Sequence, residues 1–266
     1  MLRVLATAVF TFSLAAARAE QHAIVEVETG FLIGTVGEGK WTEGEIAHRH
    51  VKGGEQYRLY SLTERLGTAI GGKPKSAGEP CVDVQVVALQ PKPAEAVVAI
   101  AGDWNALPRV PKVQDTKQPT YIAAVRTFLI GKGIRDPKVK ITQVLRIDLE
   151  GDGEDEVLLS GTNYFNPPDD PDSAPSSAPA GSYSFVILRR VVAGKVQTQL
   201  IAGDFFPKGK TLNAPARYRI AAVLDCDGDG KMEIVVDGGY YEGGWTTIHR
   251  CTPRKAETLL TAACGA

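Results

Sequence analysis

The chain has 266 residues, 44% of them hydrophobic, and a formal net charge of −1. That length supplies a core of domain size, in one or two domains. The near-neutral charge argues against nucleic acid or an acidic membrane surface as a partner.

The N-terminus reads Met1-Leu2-Arg3, then an apolar run to Ala16, then Ala17-Arg18-Ala19. A positive start, an apolar stretch and a small-x-small close predict that residues 1–19 are a signal peptide removed on export. The run is too short and too early for a membrane span, and no other stretch is suited to crossing a bilayer. The expected location is periplasmic or extracellular. Such a compartment permits disulfides among Cys81, Cys226, Cys251 and Cys264, whose spacings fit neither a zinc knuckle nor a thioredoxin motif.

Residues 20–119 are expected to form a β-rich N-terminal region. His48 and His50 flank Arg49 and would share one face of a strand, with Glu45 nearby. A transition metal uses such a pair; an exposed polar strand uses the same pattern without one. Cys81 to Leu89 and Ala94 to Ala101, joined at Gln90–Pro93, read as a hairpin. The stretch Ile100–Trp104 echoes Ile201–Phe205, which suggests a degenerate repeat unit.

Thr120 to Gly133 is the best helix candidate, with Thr120 as N-cap and Ile122, Val125, Phe128 and Leu129 as an apolar stripe. Strand-length, β-branched runs follow at 141–147, 157–161, 218–224 and 234–238. Between the members of each pair lies a short acidic loop. The first carries Asp148, Glu150, Asp152 and Glu156, and the second Asp225, Asp227, Asp229 and Glu233. In both, carboxylates fall at relative positions 1, 3, 5 and 9, with Gly153 or Gly230 at position 6. A hard cation needs several oxygens at about 2.3–2.6 Å, and a glycine turn lets alternate side chains converge on one point.

Aligning the loops also aligns Gly161 with Gly238 and Tyr164 with Tyr241. Each copy continues into a hairpin, at 183–202 and 246–263. Residues 166–182, rich in Pro, Asp, Ser and Ala, read as a long connecting loop. If each unit is a four-strand meander, Cys226 and Cys251 lie at one end and Cys264 at the other. The preferred disulfide pairing is then Cys226–Cys251 and Cys81–Cys264. Gly238–Trp245 places three aromatics among glycines, suited either to stacking on a sugar or peptide or to the strand-edge core. His249 sits in a strand beside Arg250. No nucleophile elbow, zincin motif, Walker loop or dinucleotide fingerprint is present.

An EF-hand requires flanking helices and a bidentate Glu at position 12, where this chain has Leu159 and Val236 between strands. The pattern instead resembles the FG-GAP/VCBS repeats of integrin-alpha-like β-propellers, over roughly residues 141–265. The resemblance implies that Asp148, Glu150, Asp152 and Glu156 bind one Ca²⁺ and that Asp225, Asp227, Asp229 and Glu233 bind another. The backbone carbonyls of Glu154 and Lys231 would add one oxygen each. Glu150 departs from the shorter residue usual at its position. The expected fold is mainly β: repeated antiparallel four-strand units, a partial β-propeller-like stack, with one packed helix; residues 120–266 are expected to hold that helix followed by the two calcium-loop units. The expected function is a calcium-binding, exported binding or scaffold module whose partner is an envelope protein or glycan. The alternative is an exported calcium-stabilised hydrolase or lyase acting on polysaccharide, with its site in residues 20–120.

Overall fold

The computed structural model describes residues 20–92, 94–163, 175–209 and 212–265. Residues 1–19, expected to be a signal peptide, Tyr164 and residues 166–174 of the expected long connector lie outside the described residues. The protein is mainly β; among the described residues it is built from antiparallel sheets with two short α-helices and no closed barrel.

The N-terminal region contributes β1 (His22–Glu26), β2 (Leu32–Gly37), β3 (Lys40–Glu43), α1 (Gly44–Ala47), β4 (Gln56–Tyr60) and β5 (Arg65–Gly71). Short strands follow: β6 (Lys75–Ser76), β7 (Gln85–Val86), β8 (Leu89–Gln90) and β9 (Val98–Ile100). Seven of these make one sheet in the order β3-β2-β1-β9-β4-β5-β8, while β6 pairs with β7. The expected hairpin of 81–89 with 94–101 is therefore not formed. Val98, Ala99 and Ile100 are fully apolar and buried, and they insert between β1 and β4 at the sheet centre. Cys81 to Val84, by contrast, stays at the surface with no long strand to pair it. This region is not a third copy of the repeat.

The remainder contains β10 (Lys112–Val113), α2 (Pro119–Gly131), β11 (Ile141–Ile147), β12 (Glu156–Thr162), β13 (Ser182–Val192) and β14 (Lys195–Phe206). It closes with β15 (Arg217–Leu224), β16 (Glu233–Tyr240), β17 (Gly243–Cys251) and β18 (Ala256–Gly265). Strands β11 to β14 form a meander with β10 added at the edge, and β15 to β18 form a second meander. The two four-strand units stand as the sequence pattern expects. Helix α2 starts two residues early, at Pro119 behind Gln118, rather than behind Thr120. Proline's missing N–H is no loss at the first helical position.

The side-chain alternation of β12 and β13 explains the layering. Leu158, Val186 and Leu188 point into a core shared with Ile24 and Ile100 of the N-terminal sheet and Val223, Val236 and Ile248 of the last sheet. Their neighbours Leu159, Phe185 and Ile187 point the other way, under Val125 and Leu129 of α2. A strand buried on both faces needs an unbroken apolar run, which β13 has from Phe185 to Leu188.

Two further expectations are corrected. His48–His50 is a turn of 3₁₀ helix after α1, with His48 Nδ1 2.6 Å from the Glu45 carbonyl, so the imidazoles do not share a strand face. Cys81 and Cys264 are bridged, but Cys226 and Cys251 are free buried thiols. Although both lie at one end of the sheet, β16 runs between their strands. Two strand spacings are roughly 9–10 Å, beyond the ~7 Å limit for a disulfide.

Candidate functional site

Both acidic loops fold by the same internal bonds. In the first, Asp148 Oδ1 accepts the amides of Gly151 (2.6 Å) and Asp152 (3.1 Å), and Oδ2 accepts that of Gly153 (2.9 Å). In the second, Asp225 Oδ1 accepts Gly228 (2.7 Å) and Oδ2 accepts Gly230 (3.0 Å). The carboxylate at position 9 reaches back in each: Leu149 donates to Glu156 Oε2 and Cys226 to Glu233 Oε2, both at 3.0 Å. Gly153 and Gly230 have φ of 91° and 84°, the left-handed turn that only glycine adopts freely.

The loops differ in how their acids converge. Asp225, Asp227 and Asp229 offer oxygens that all lie within 4.8 Å of one another. Among the described residues the Asp148, Glu150, Asp152 set does not meet that closeness. Glu150 is drawn aside into an ion pair with Arg190, while Asp152 accepts the Glu154 amide at 2.9 Å. The position-3 acid of each loop pairs with an arginine of the third strand, Glu150 with Arg190 and Asp227 with Arg250, but the shorter Asp227 still keeps an oxygen close to those of Asp225 and Asp229. Lys231 donates its amide to Asp229 Oδ1 at 2.8 Å.

Arginines supply charge that the acidic pattern did not reveal. Arg190 and Arg250 take equivalent places on β13 and β17, beside the position-9 glutamates. Arg250 holds Glu233 Oε1 at 2.8 Å and Asp227 Oδ2 at 2.7 Å, and its guanidinium lies over the Trp41 ring at 5.5 Å. Arg109 stitches the two loops together. Its Nε donates to the Asp148 carbonyl (2.6 Å), and its Nη2 to those of Leu149 (3.1 Å) and Gly230 (2.8 Å). Trp104 Nε1 donates to the Asp225 carbonyl at 2.7 Å. These residues come from strands and connectors with no metal-like spacing, so no local pattern announces them.

The electrostatics follow burial. Burial, with the like charge of Asp227, pushes the Glu233 carboxyl up to about 8 against the pull of Arg250. Burial and then the neighbouring Glu150 raise Glu156 to about 7. Burial also raises Asp225, and Asp227 and Asp229 add to it. For Asp148 burial acts upward too, but the three loop amides outweigh it and hold the carboxyl below its ordinary value.

A hard divalent cation fits the second loop. Three carboxylates converge there, and each oxygen of Asp225 that accepts an amide keeps a lone pair for a metal. Glu233 is arranged differently: Cys226 and Arg250 take one oxygen each, so in this arrangement it braces the loop.

The aromatic stretch at the far end of the sheet is partly core. The Trp245 indole lies across Gly238, where an added Cβ would collide with it, just as Phe185 lies across Gly161 in the other unit. Tyr218, Trp245 and Tyr240 form a continuous row, with centroids 5.9 and 6.3 Å apart. His249 is buried between Thr247 (2.8 Å from Nε2) and Thr258 (3.3 Å from Nδ1).

The chain matches no protein-family model, no curated protein and no solved structure.

Proposed function

We propose that the protein is an exported calcium-binding module that acts by binding an envelope protein or glycan, and that its paired units are FG-GAP/VCBS-like repeats. The observation that carries this is the convergence of Asp225, Asp227 and Asp229 within a strand–loop–strand unit whose partner unit repeats the same bonds. The Cys81–Cys264 bridge supports an oxidising compartment. No helix among the described residues is long and apolar enough to cross a membrane.

The ion belongs to the second loop, on Asp225, Asp227, Asp229 and the Lys231 carbonyl. Bound there, calcium neutralises carboxylates that otherwise repel one another, and so ties the end of β15 to the start of β16. Each loop pairs its position-3 acid with an arginine, Asp227 with Arg250 and Glu150 with Arg190, but among the described residues three carboxylates converge in the second loop and not in the first, which is therefore the weaker candidate for a second ion. Because binding favours only the folded chain, calcium at a hundredfold excess over its Kd adds about 2.7 kcal/mol, or roughly 5–10 °C in melting temperature for a chain of this size.

Calorimetric titration with calcium and thermal melts with a chelator test the reading. The expected result is one binding event, lost in Asp227→Asn and Asp229→Asn and kept in Asp152→Asn, with a lower melt in chelator. A melt that chelator leaves unchanged, together with no heat of binding, would sink it.

A further inference from the structure

The segment between β9 and β10, residues 101–111, grips both acidic loops at matching positions. Trp104 takes the second loop. Its Nε1 donates to the carbonyl of Asp225, the loop's first position, at 2.7 Å. Its ring covers Gly228, the fourth position, where an added Cβ would meet the indole at 3.1 Å. Arg109 takes the first loop in the same way. Its Nε donates to the carbonyl of Asp148, again the first position, at 2.6 Å. Its guanidinium covers Gly151, again the fourth, with an added Cβ at 3.1 Å. The two glycines share a left-handed turn, with φ of 78° and 76°. Two unlike side chains from one segment outside the repeats thus make equivalent contacts on both.

The hold on the second loop is the more complete. Beyond the last ladder pair, Leu224 with Glu233, the Asp225 amide donates to the Ala106 carbonyl at 2.8 Å. Both backbone groups of Asp225 are therefore bonded to this segment. The other side of the segment belongs to the N-terminal sheet. Arg58 of β4 donates from Nη1 to the Trp104 carbonyl. The Tyr60 hydroxyl of the same strand accepts the Ala106 amide at 3.4 Å. The His22 ring of β1 meets the indole edge-on, with centroids 5.0 Å apart. Trp104 is seated between that sheet on one side and the second loop on the other.

A ligand residue fixed before its ion arrives lowers the ordering cost of binding. The segment fixes Asp225 in that sense, since its backbone cannot turn without breaking the bonds to Trp104 and Ala106. Linkage then works in both directions: whatever factor the docked segment adds to calcium affinity, calcium adds to the docking of the segment. The two states involved are a segment docked on the loop and a segment released from it. A purely local calcium site would instead tie β15 to β16 and be indifferent to Arg58, which meets the loop only through Trp104.

We infer that Trp104 and Ala106 couple the second acidic loop to the N-terminal sheet, so that calcium binding and docking of that sheet reinforce each other. Trp104 and Arg58 are positioning residues in this arrangement. The inference rests on the calcium half of the function proposed above. The test titrates the intact protein with calcium by calorimetry, well below its melting temperature, beside Trp104→Phe, Arg58→Gln and Arg58→Lys. Trp104→Phe keeps a ring over Gly228 and removes only the N–H, so calcium should bind about fivefold more weakly. Arg58→Gln should also weaken it, and Arg58→Lys, which keeps a cationic donor, should recover most of the loss. Hydrogen exchange gives a second readout: calcium should slow the amides of Ala106 and Asp225, and that slowing should be lost in Trp104→Phe. If Trp104→Phe folds poorly, the two Arg58 variants decide. A residue that merely stabilised the fold would lower the melt and leave the calcium affinity of the folded protein unchanged. Wild-type binding with unchanged affinity in Arg58→Gln, or exchange at Ala106 indifferent to calcium, overturns the coupling and leaves the calcium site standing. No heat of binding in the wild type overturns both.

Discussion

Arg250 reaches Glu233, which has 0% exposure, and Asp227, so it neutralises two acids that cannot rely on water. Removing the guanidinium has two opposed consequences. Arg250→Gln leaves Glu233 buried without its partner and is expected to destabilise the calcium-free protein. The loss should fall below the ~3–5 kcal/mol of a fully buried broken pair, because Arg250 itself is 30% exposed. The same change makes the loop more negative, so calcium affinity should rise. A urea melt and a calcium titration on the variant check both signs; weaker calcium binding would show that Arg250 helps to build the site rather than competing with the ion. His249 is a different kind of buried group. Burial lowers its pKa from 6.5 to about 4, so the unfolded chain takes up a proton that the fold refuses between those values. Stability is unaffected by this residue above pH 6.5 and falls as pH drops through that window, by on the order of 3 kcal/mol in total. His249→Gln should flatten the acid side of the stability–pH curve, measured by urea melts across the window; an unchanged slope would refute the assignment.

At the scale of elements, the two meanders share more than their acids. Each repeats a glycine on its second strand under an aromatic of its third, Gly161 under Phe185 and Gly238 under Trp245. Each also repeats an arginine on its third strand beside the position-9 glutamate. The glycine and acid positions were legible because they recur at the same distance along the chain. The aromatic and the arginine were not, because the connectors before the third strands differ in length and the register between copies is lost there. The N-terminal sheet misled for a related reason. Val98–Ile100 looked like the return strand of a local hairpin, but a run with no polar face belongs at a sheet centre, between β1 and β4.

At the scale of the molecule, three sheets share one core and the Cys81–Cys264 bridge closes a sequence separation of 183 residues. A loop that long loses much entropy when it is cross-linked in the unfolded chain, about 5 kcal/mol on the chain-entropy account. Cys81→Ser with Cys264→Ser should lower stability by that order, read from urea midpoints with and without reductant. If reductant moves the wild-type midpoint by less than about 1 kcal/mol, the bridge is not what holds the end of β18. Cys226 and Cys251 should stay silent to thiol reagents until the fold opens. Both are buried, and burial drives their thiols away from the reactive thiolate.

The acidic loops, the strands around them and the mainly β fold could be read from the sequence, because spacing and alternation are local properties that a linear chain displays directly. Which loop gathers its carboxylates depended on tertiary structure. Arg190 pulls Glu150 away from the first loop, Arg250 braces the second, and Arg109 joins them from a distant connector. The same holds for the unbridged Cys226 and Cys251 and for the paired grips of Trp104 and Arg109. Each arises where segments far apart in sequence meet, and charge pairing, thiol distance and hydrogen-bond geometry exist only once they do.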